Sequence, residues 1–314
     1  MAFATPSFGA IALNSPTTDW NPIVYPGATR SDYLKDQQTG DGESDLVGSA
    51  PGQPMQTAFY FRLEGDEIAF RVRVNTDSNS VGYAGAIWVG LMLDDDDSVD
   101  LFAGLYSSSS GKETYGGYYN PGSGANTSPS TTTVETSRPI STQTLSSSTF
   151  LFTPVTIGPS GNDPVPGGIT DVGEDGKNDY FATWVLSFSQ LVSAAATLDF
   201  TVTKDTPFRF VVGTSQQAQS MNQDLNGAEK ITKANETMTF AALGAVSPFI
   251  TAEGGIVPDP TPDPTPDPFP DPTPDPTPIS VPEPGTVSTL LVGIGLLAGA
   301  ALLRRRKAGA GLKG

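Results

Sequence analysis

The sequence predicts an all-β fold, an antiparallel β-sandwich of the jelly-roll or immunoglobulin-like kind. Many short apolar or alternating segments are separated by turn residues, and few segments have the helical period. Residues 67–74 alternate strictly, which predicts a strand of a hairpin with one buried and one solvated face. Residues 85–93 and 180–188 are almost wholly apolar, as expected of strands buried on both faces. These observations favour two packed antiparallel sheets.

The sandwich is predicted to occupy residues 13–257. Its strands, in chain order, are predicted at residues 57–63, 67–74, 85–93, 101–106, 149–157, 180–188, 199–203, 207–214 and 237–243. A short helix is expected at 189–196. Ser, Thr and Gly dominate residues 107–148, which predicts an insertion or a surface loop. Trp20 is expected to cap one end of the core, and a sugar-stacking platform is the alternative.

The two ends of this domain have different character. Residues 1–12 are interpreted as the remnant of a signal peptide, because Ala10-Ile11-Ala12 has the small-x-small form of a signal peptidase site. The alternative is a mature N-terminus with a chance alanine pair. Residues 258–280 are a Pro/Asp/Thr spacer, in which alternating prolines fix φ and remove backbone donors. Over residues 258–278, where every second residue is proline, this composition predicts an extended polyproline II stalk of roughly 65 Å, at about 3.1 Å per residue.

The segment 281–307 has an ordered set of features, and residues 308–314 follow it as a short tail. The features are Pro282, Glu283 and Pro284, then the uncharged apolar run 286–303, then Arg304, Arg305, Arg306 and Lys307. At about 1.5 Å per residue the run predicts a transmembrane helix of roughly 27 Å. The basic cluster would act as the membrane stop on the cytoplasmic side.

This order of features resembles the PEP-CTERM sorting signal of Gram-negative bacteria. The resemblance implies that an exosortase, a membrane-embedded cysteine transpeptidase-like enzyme, recognises the Pro-Glu-Pro motif and processes the tail. It also implies export, an inner-membrane anchored precursor, and then a place at the cell surface or in the extracellular matrix. The alternative is a plain single-pass anchor, with Gly295 and Gly299 forming a helix-pairing face.

Composition excludes several classes of function. The formal charge is −17, and five of the 17 basic residues lie within residues 304–313, so the exported part is more acidic than the whole. Such a surface repels nucleic acid and anionic membranes. The chain has no cysteine and no histidine, which excludes disulfides, Ser-His-Asp triads and histidine-ligated zinc. Paired carboxylates are the main catalytic chemistry that remains.

Two acidic loops are candidate calcium sites. The first contains Asp94, Asp96, Ser98 and Asp100, and the second contains Asp171, Asp175 and Asp179. Alternating or regularly spaced oxygens in a tight loop suit Ca²⁺, which takes six to eight oxygen ligands. Neither loop matches the EF-hand pattern through its final Glu, and a solvated acidic turn is the alternative for both.

Together these features predict an exported, non-enzymatic protein of the cell surface or extracellular matrix. Its domain would be a structural, carbohydrate-binding or protein-binding module in the envelope or the exopolysaccharide. The expected partners are the exosortase during sorting, extracellular polysaccharide, and transiently the inner membrane. The alternative is a secreted glycosidase or polysaccharide lyase, although no carboxylate pair stands out in an apolar setting.

Overall fold

A computed structural model describes residues 10–25, 36–39, 42–48, 57–77, 82–107, 113–157, 164–166 and 177–254. The predicted stalk, transmembrane helix and sorting motif lie outside these residues, as do Met1 to Gly9 of the predicted signal-peptide remnant. Within the described ranges, no helix is both long enough and apolar enough to cross a membrane.

The described residues form mainly antiparallel strands with little helix. In chain order the strands are β1 (Asn21–Pro22), β2 (Phe59–Glu64), β3 (Glu67–Val74), β4 (Ala86–Met92), β5 (Leu101–Ser107), β6 (Thr114–Pro121), β7 (Val134–Thr144), β8 (Phe150–Ile157), β9 (Pro164–Pro166), β10 (Tyr180–Ser187), β11 (Pro207–Ser215), β12 (Asp224–Leu225) and β13 (Ile250–Thr251). The helix α1 (Phe188–Ala196) follows β10, and 3₁₀ turns cover Thr17–Asp19 and Gly42–Ser44.

These strands make two sheets. The first has the spatial order β1-β2-β3-β10-β8-β9, and the second has the order β12-β11-β4-β5-β6-β7, with β13 beside β11. Every pairing is antiparallel. The prediction of a mostly β, antiparallel fold is therefore confirmed.

The two sheets share one hydrophobic core. Phe59 and Phe61 of the first sheet contact Phe210 of the second, with ring centroids 5.2 and 5.4 Å apart. Trp184, on the first sheet, lies in the same cluster and is fully buried. Since apolar side chains of both sheets meet in one cluster, the arrangement is compatible with the predicted sandwich.

The outer faces of both sheets are also covered, which differs from the predicted solvated face of the hairpin. Ile11, Leu13 and Trp20 pack over the first sheet in a second cluster. A third cluster covers the second sheet, where Phe240 and other residues of the segment 221–245 pack against strand residues. Residues 237–243, which were predicted to be a strand, form turns within this cover.

The structure also differs from the prediction of an insertion at residues 107–148, because β6 and β7 lie within it and continue the second sheet. Gly117 permits the close approach, since a Cβ there would lie 2.1 Å from the carbonyl oxygen of Ser141. Tyr118 packs into the core between the sheets, and Tyr119 packs into the outer cluster. A strand made of Gly and Tyr lacks the β-branched pattern that normally marks a strand in a sequence.

Candidate functional site

The loop between β4 and β5 brings three of its four predicted calcium ligands together. One carboxylate oxygen from each of Asp94, Asp96 and Asp100 lies within 4.8 Å of the other two. The backbone N–H of Ser98 donates to Asp96 Oδ1 at 2.8 Å, and that of Leu93 donates to Asp100 Oδ2 at 2.7 Å. The loop is therefore ordered by its own hydrogen bonds, and three carboxylates still face one small volume.

The charge of this loop is partly compensated by protein groups. Arg209 of β11 places Nη1 3.0 Å from Asp97 Oδ1 and Nη2 3.9 Å from Asp95 Oδ1. Hydrogen bonds from Ser98 lower the pKa of Asp96. Burial raises the pKa of Asp100 to about 6. The loop has the donor set for calcium and also the contacts of a solvated turn, so calcium binding there stays a prediction.

In the second predicted loop only one of the three predicted calcium ligands, Asp179, is described, and it is paired with an arginine. Asp171 and Asp175 lie outside the described residues. Asp179 is fully buried, and its Oδ2 lies 3.3 Å from Nε of Arg73, which is also fully buried. The contacts of Asp179 therefore give it a structural role between β3 and the start of β10.

A third acidic group, which the sequence did not predict as a site, lies at one edge of the fold. Asp36, Asp45 and Asp224 are all buried, and an oxygen from each lies within 4.8 Å of the other two. Asp224 belongs to β12, at the edge of the second sheet. The first two residues come from an irregular segment near the N-terminus. No local spacing connects them with β12, so sequence pattern alone offers no signal for the group.

We expect the metal-free protein to lose stability as the pH rises from 4 to 8, because of Asp36. Burial, followed by repulsion from Asp45, raises its pKa from 3.8 to about 8, with smaller effects from Lys230 and Glu229. Between those pKa values the folded state binds more protons than the unfolded state, so rising pH lowers the free energy of unfolding. Melting temperatures in EDTA at several pH values measure this slope.

The matched variant for this experiment is Asp36→Asn, which removes the titrating group and keeps its shape. Its melting temperature should change less between pH 5 and pH 8 than that of the wild type. Asp45 and Asp224 remain in the variant, and burial raises the pKa of Asp224 as well, so some slope will persist. Equal slopes for the two proteins would contradict the prediction.

Comparison with known proteins assigns the C-terminal tail. Residues 280–307 match the family model of the PEP-CTERM protein-sorting motif. No curated protein and no solved structure matches the chain. The match includes the Pro-Glu-Pro triplet, the apolar run and the basic cluster, so the resemblance predicted from these residues is confirmed. The motif implies an exported protein that an exosortase processes and sorts to the surface.

Proposed function

We propose that this chain is a non-enzymatic protein of the cell surface or extracellular matrix, whose β domain is a sandwich that binds polysaccharide or another surface protein. In this proposal residues 286–303 anchor the precursor in the inner membrane, and residues 258–280 form an extended stalk. The observation that carries the proposal is the match of residues 280–307 to the sorting motif. The acidic composition of the remaining chain is consistent with an exterior location.

The absence of catalysis is supported by the chemistry of the acidic groups. The sequence has no histidine or cysteine, so carboxylates are the main groups left to supply acid, base and nucleophile in a glycosidase. A glycosidase needs two carboxyl groups on either side of a bound sugar, roughly 5–9 Å apart. Asp36, Asp45 and Asp224 are at most 8% exposed, and their clustered oxygens leave no room for a sugar ring. This geometry favours a binding or structural role over the glycosidase alternative.

The sorting proposal predicts that replacing Pro282, Glu283 and Pro284 with alanine will block processing and leave membrane insertion intact. The apolar run and the basic cluster are unchanged in this variant, and they determine insertion. Immunoblots of membrane and surface fractions, in a host that has an exosortase, should show the unprocessed chain accumulating in the inner membrane.

A matched control exists in the stalk, where Pro274, Asp275 and Pro276 form another Pro-acid-Pro triplet outside the matched residues. Replacing these three residues with alanine should leave processing normal. Normal processing of the variant at residues 282–284 would refute exosortase recognition of this motif and favour a plain anchor.

Calcium binding by the exposed loop is also part of the proposal, supported by the approach of Asp94, Asp96 and Asp100 to within 4.8 Å. A ligand that binds only the folded state stabilises it by about 2.7 kcal/mol at a hundredfold excess over its Kd. We expect Asp94→Asn combined with Asp96→Asn to reduce the rise in melting temperature at millimolar calcium. Magnesium and sodium at matched ionic strength control for general screening. An unchanged rise in the double variant would contradict the prediction for this loop.

A further inference from the structure

The buried acidic group at the edge of the second sheet is held by groups from distant parts of the chain. Asp224 accepts hydrogen bonds from the backbone N–H of Leu46 to Oδ2, at 2.6 Å, and from that of Leu225 to Oδ1, at 2.8 Å. Asp45 Oδ2 accepts from Nδ2 of Asn75 at 2.8 Å. These bonds fix two of the three carboxylates in place, beside the end of β3 and along β12.

Several polar atoms around this group have no hydrogen-bond partner among the described residues. Asp36 is 8% exposed, and neither of its carboxylate oxygens accepts a hydrogen bond from another described residue. Oδ1 of Asn75 also lacks a partner, although the same amide contacts Asp45 through its nitrogen. Most buried polar atoms in native proteins are hydrogen-bonded, so an unpartnered carboxylate at such depth indicates that a further group binds there.

Asn226, the residue that follows β12, also has unpartnered side-chain atoms. It is fully buried, and within the described part of the chain neither its side-chain oxygen nor its side-chain nitrogen has a hydrogen-bond partner. Leu225 packs into the outer cluster of the second sheet, and the N–H of Asn226 donates to Val212 O at 2.9 Å, which continues the pairing with β11 one residue beyond β12. Alternation along this extension places Asp224 and Asn226 on the face opposite Leu225. The amide of Asn226 therefore lies on the same side of β12 as the carboxylate of Asp224.

The negative charge of the three carboxylates indicates what kind of group binds among them. Three carboxylates within 4.8 Å repel one another strongly at this burial, and ionising them all requires compensating positive charge. A divalent cation would neutralise most of the charge and satisfy the unpartnered oxygens together.

We propose that Asp36, Asp45 and Asp224 bind a buried divalent cation, and that its ligand chemistry is that of Ca²⁺. Calcium prefers carboxylate and amide or carbonyl oxygens and tolerates irregular geometry. The three carboxylates supply the charge, and the side-chain amide of Asn75, whose nitrogen donates to Asp45, places a neutral oxygen beside them. This site is separate from the exposed loop after β4, and it does not depend on the proposed sorting or binding functions.

The cation would join an N-terminal segment to a C-terminal strand. The segment around Asp36 already contacts β12, because Gln38 N–H donates to Gln223 O at 2.6 Å. Both the N–H and the hydroxyl of Thr39 donate to Gln223 Oε1, at 2.9 and 2.8 Å. A bound cation would add ionic links to these hydrogen bonds and close this edge of the fold.

The test uses the full-length chain in detergent, stripped with EDTA and then titrated with CaCl₂ alone. Equilibrium dialysis with ⁴⁵Ca should reveal one high-affinity calcium in the wild type, and differential scanning calorimetry should show the accompanying rise in melting temperature. Asp36→Asn should weaken binding at this site by at least about tenfold, the lower end of what loss of even an outer-shell partner costs. Binding by wild type alone tests the proposal even if a variant does not fold.

The melting temperature of Asp36→Asn, compared with that of the wild type, should depend on whether calcium is present. In EDTA, Asp36→Asn should melt at a higher temperature than the wild type, because a neutral amide is buried there at less cost than an acidic group without its cation. In calcium it should lose the high-affinity rise. Asp94→Asn combined with Asp96→Asn serves as the matched control, and this variant should keep the high-affinity calcium. If the wild type binds no calcium tightly, or if Asp36→Asn binds calcium equally well, the proposal is wrong. The three carboxyl groups would then be neutralised by bound protons instead of a cation.

Discussion

Replacing Asp179 with alanine is expected to destabilise the protein by about 3–5 kcal/mol, the usual cost of removing one partner from a buried ion pair. Asp179 and Arg73 are both fully buried, and Arg73 lies on β3, opposite Phe181 of β10. Without the aspartate, the guanidinium remains in an interior that solvates it poorly. Denaturant unfolding of the full-length chain measures the loss.

A double variant separates the charge effect from a packing effect. Arg73→Met with Asp179→Leu should recover much of the lost stability, because apolar residues of similar volume often replace a buried pair at little cost. The loss in Asp179→Ala should also be equal in calcium and in EDTA if the carboxylate serves Arg73. A loss that appears only in calcium would instead assign Asp179 to the calcium loop predicted from the sequence.

The strands that pattern alone located well are those with a strong local signal. The alternating segment 67–74 is β3 with the same bounds, and the apolar segment 180–188 contains β10. Period-two alternation and continuous apolar runs both mark strands, and they located these two correctly. The alternation of β3 did not predict burial, because its second face is also covered. The short helix predicted at 189–196 is α1, which begins one residue earlier, with Ser187 as its N-cap.

The elements that the sequence did not locate depend on contacts far along the chain. The segment 237–243 has strand-like composition, but Phe240 packs in the cover over the second sheet and the backbone turns there. The strands β6 and β7 were missed for the opposite reason. Their Gly and Pro residues give a weak strand signal, which the pairing of β6 with β5 and of β7 with β6 overrides.

The two carboxylate groups also differ in how far apart their members lie in the sequence. Asp94, Asp96 and Asp100 are close in sequence, and a tight loop between two strands necessarily keeps them close in space. Asp224 lies 178 residues from Leu46, whose N–H it binds, so only the assembled fold places it beside Asp36 and Asp45. A carboxylate group drawn from separate segments cannot be recognised by residue spacing.

Replacing Trp20 is the other change that we expect to reduce stability strongly. The result also distinguishes a sugar-binding platform from a core residue. The Trp20 indole is 4% exposed, its Nε1 donates to Ser15 Oγ at 2.9 Å, and the guanidinium of Arg71 lies 4.0 Å from the ring centroid. Arg71 in turn donates to the carbonyl oxygens of Leu13 and Ser15, at 2.8 and 3.0 Å. The indole therefore covers a buried cation and fixes the N-terminal segment over the first sheet.

Trp20→Ala should accordingly cost about 3–5 kcal/mol through the cavity that it leaves. At roughly 2–4 °C per kcal/mol for a domain of this size, the melting temperature should fall by about 6–20 °C. The control is Trp20→Phe, which keeps an aromatic face over Arg71 and loses the bond to Ser15 and the volume of one ring, so its loss of stability should be smaller. A stable Trp20→Ala protein that no longer binds exopolysaccharide would overturn the structural role and assign Trp20 to a sugar site.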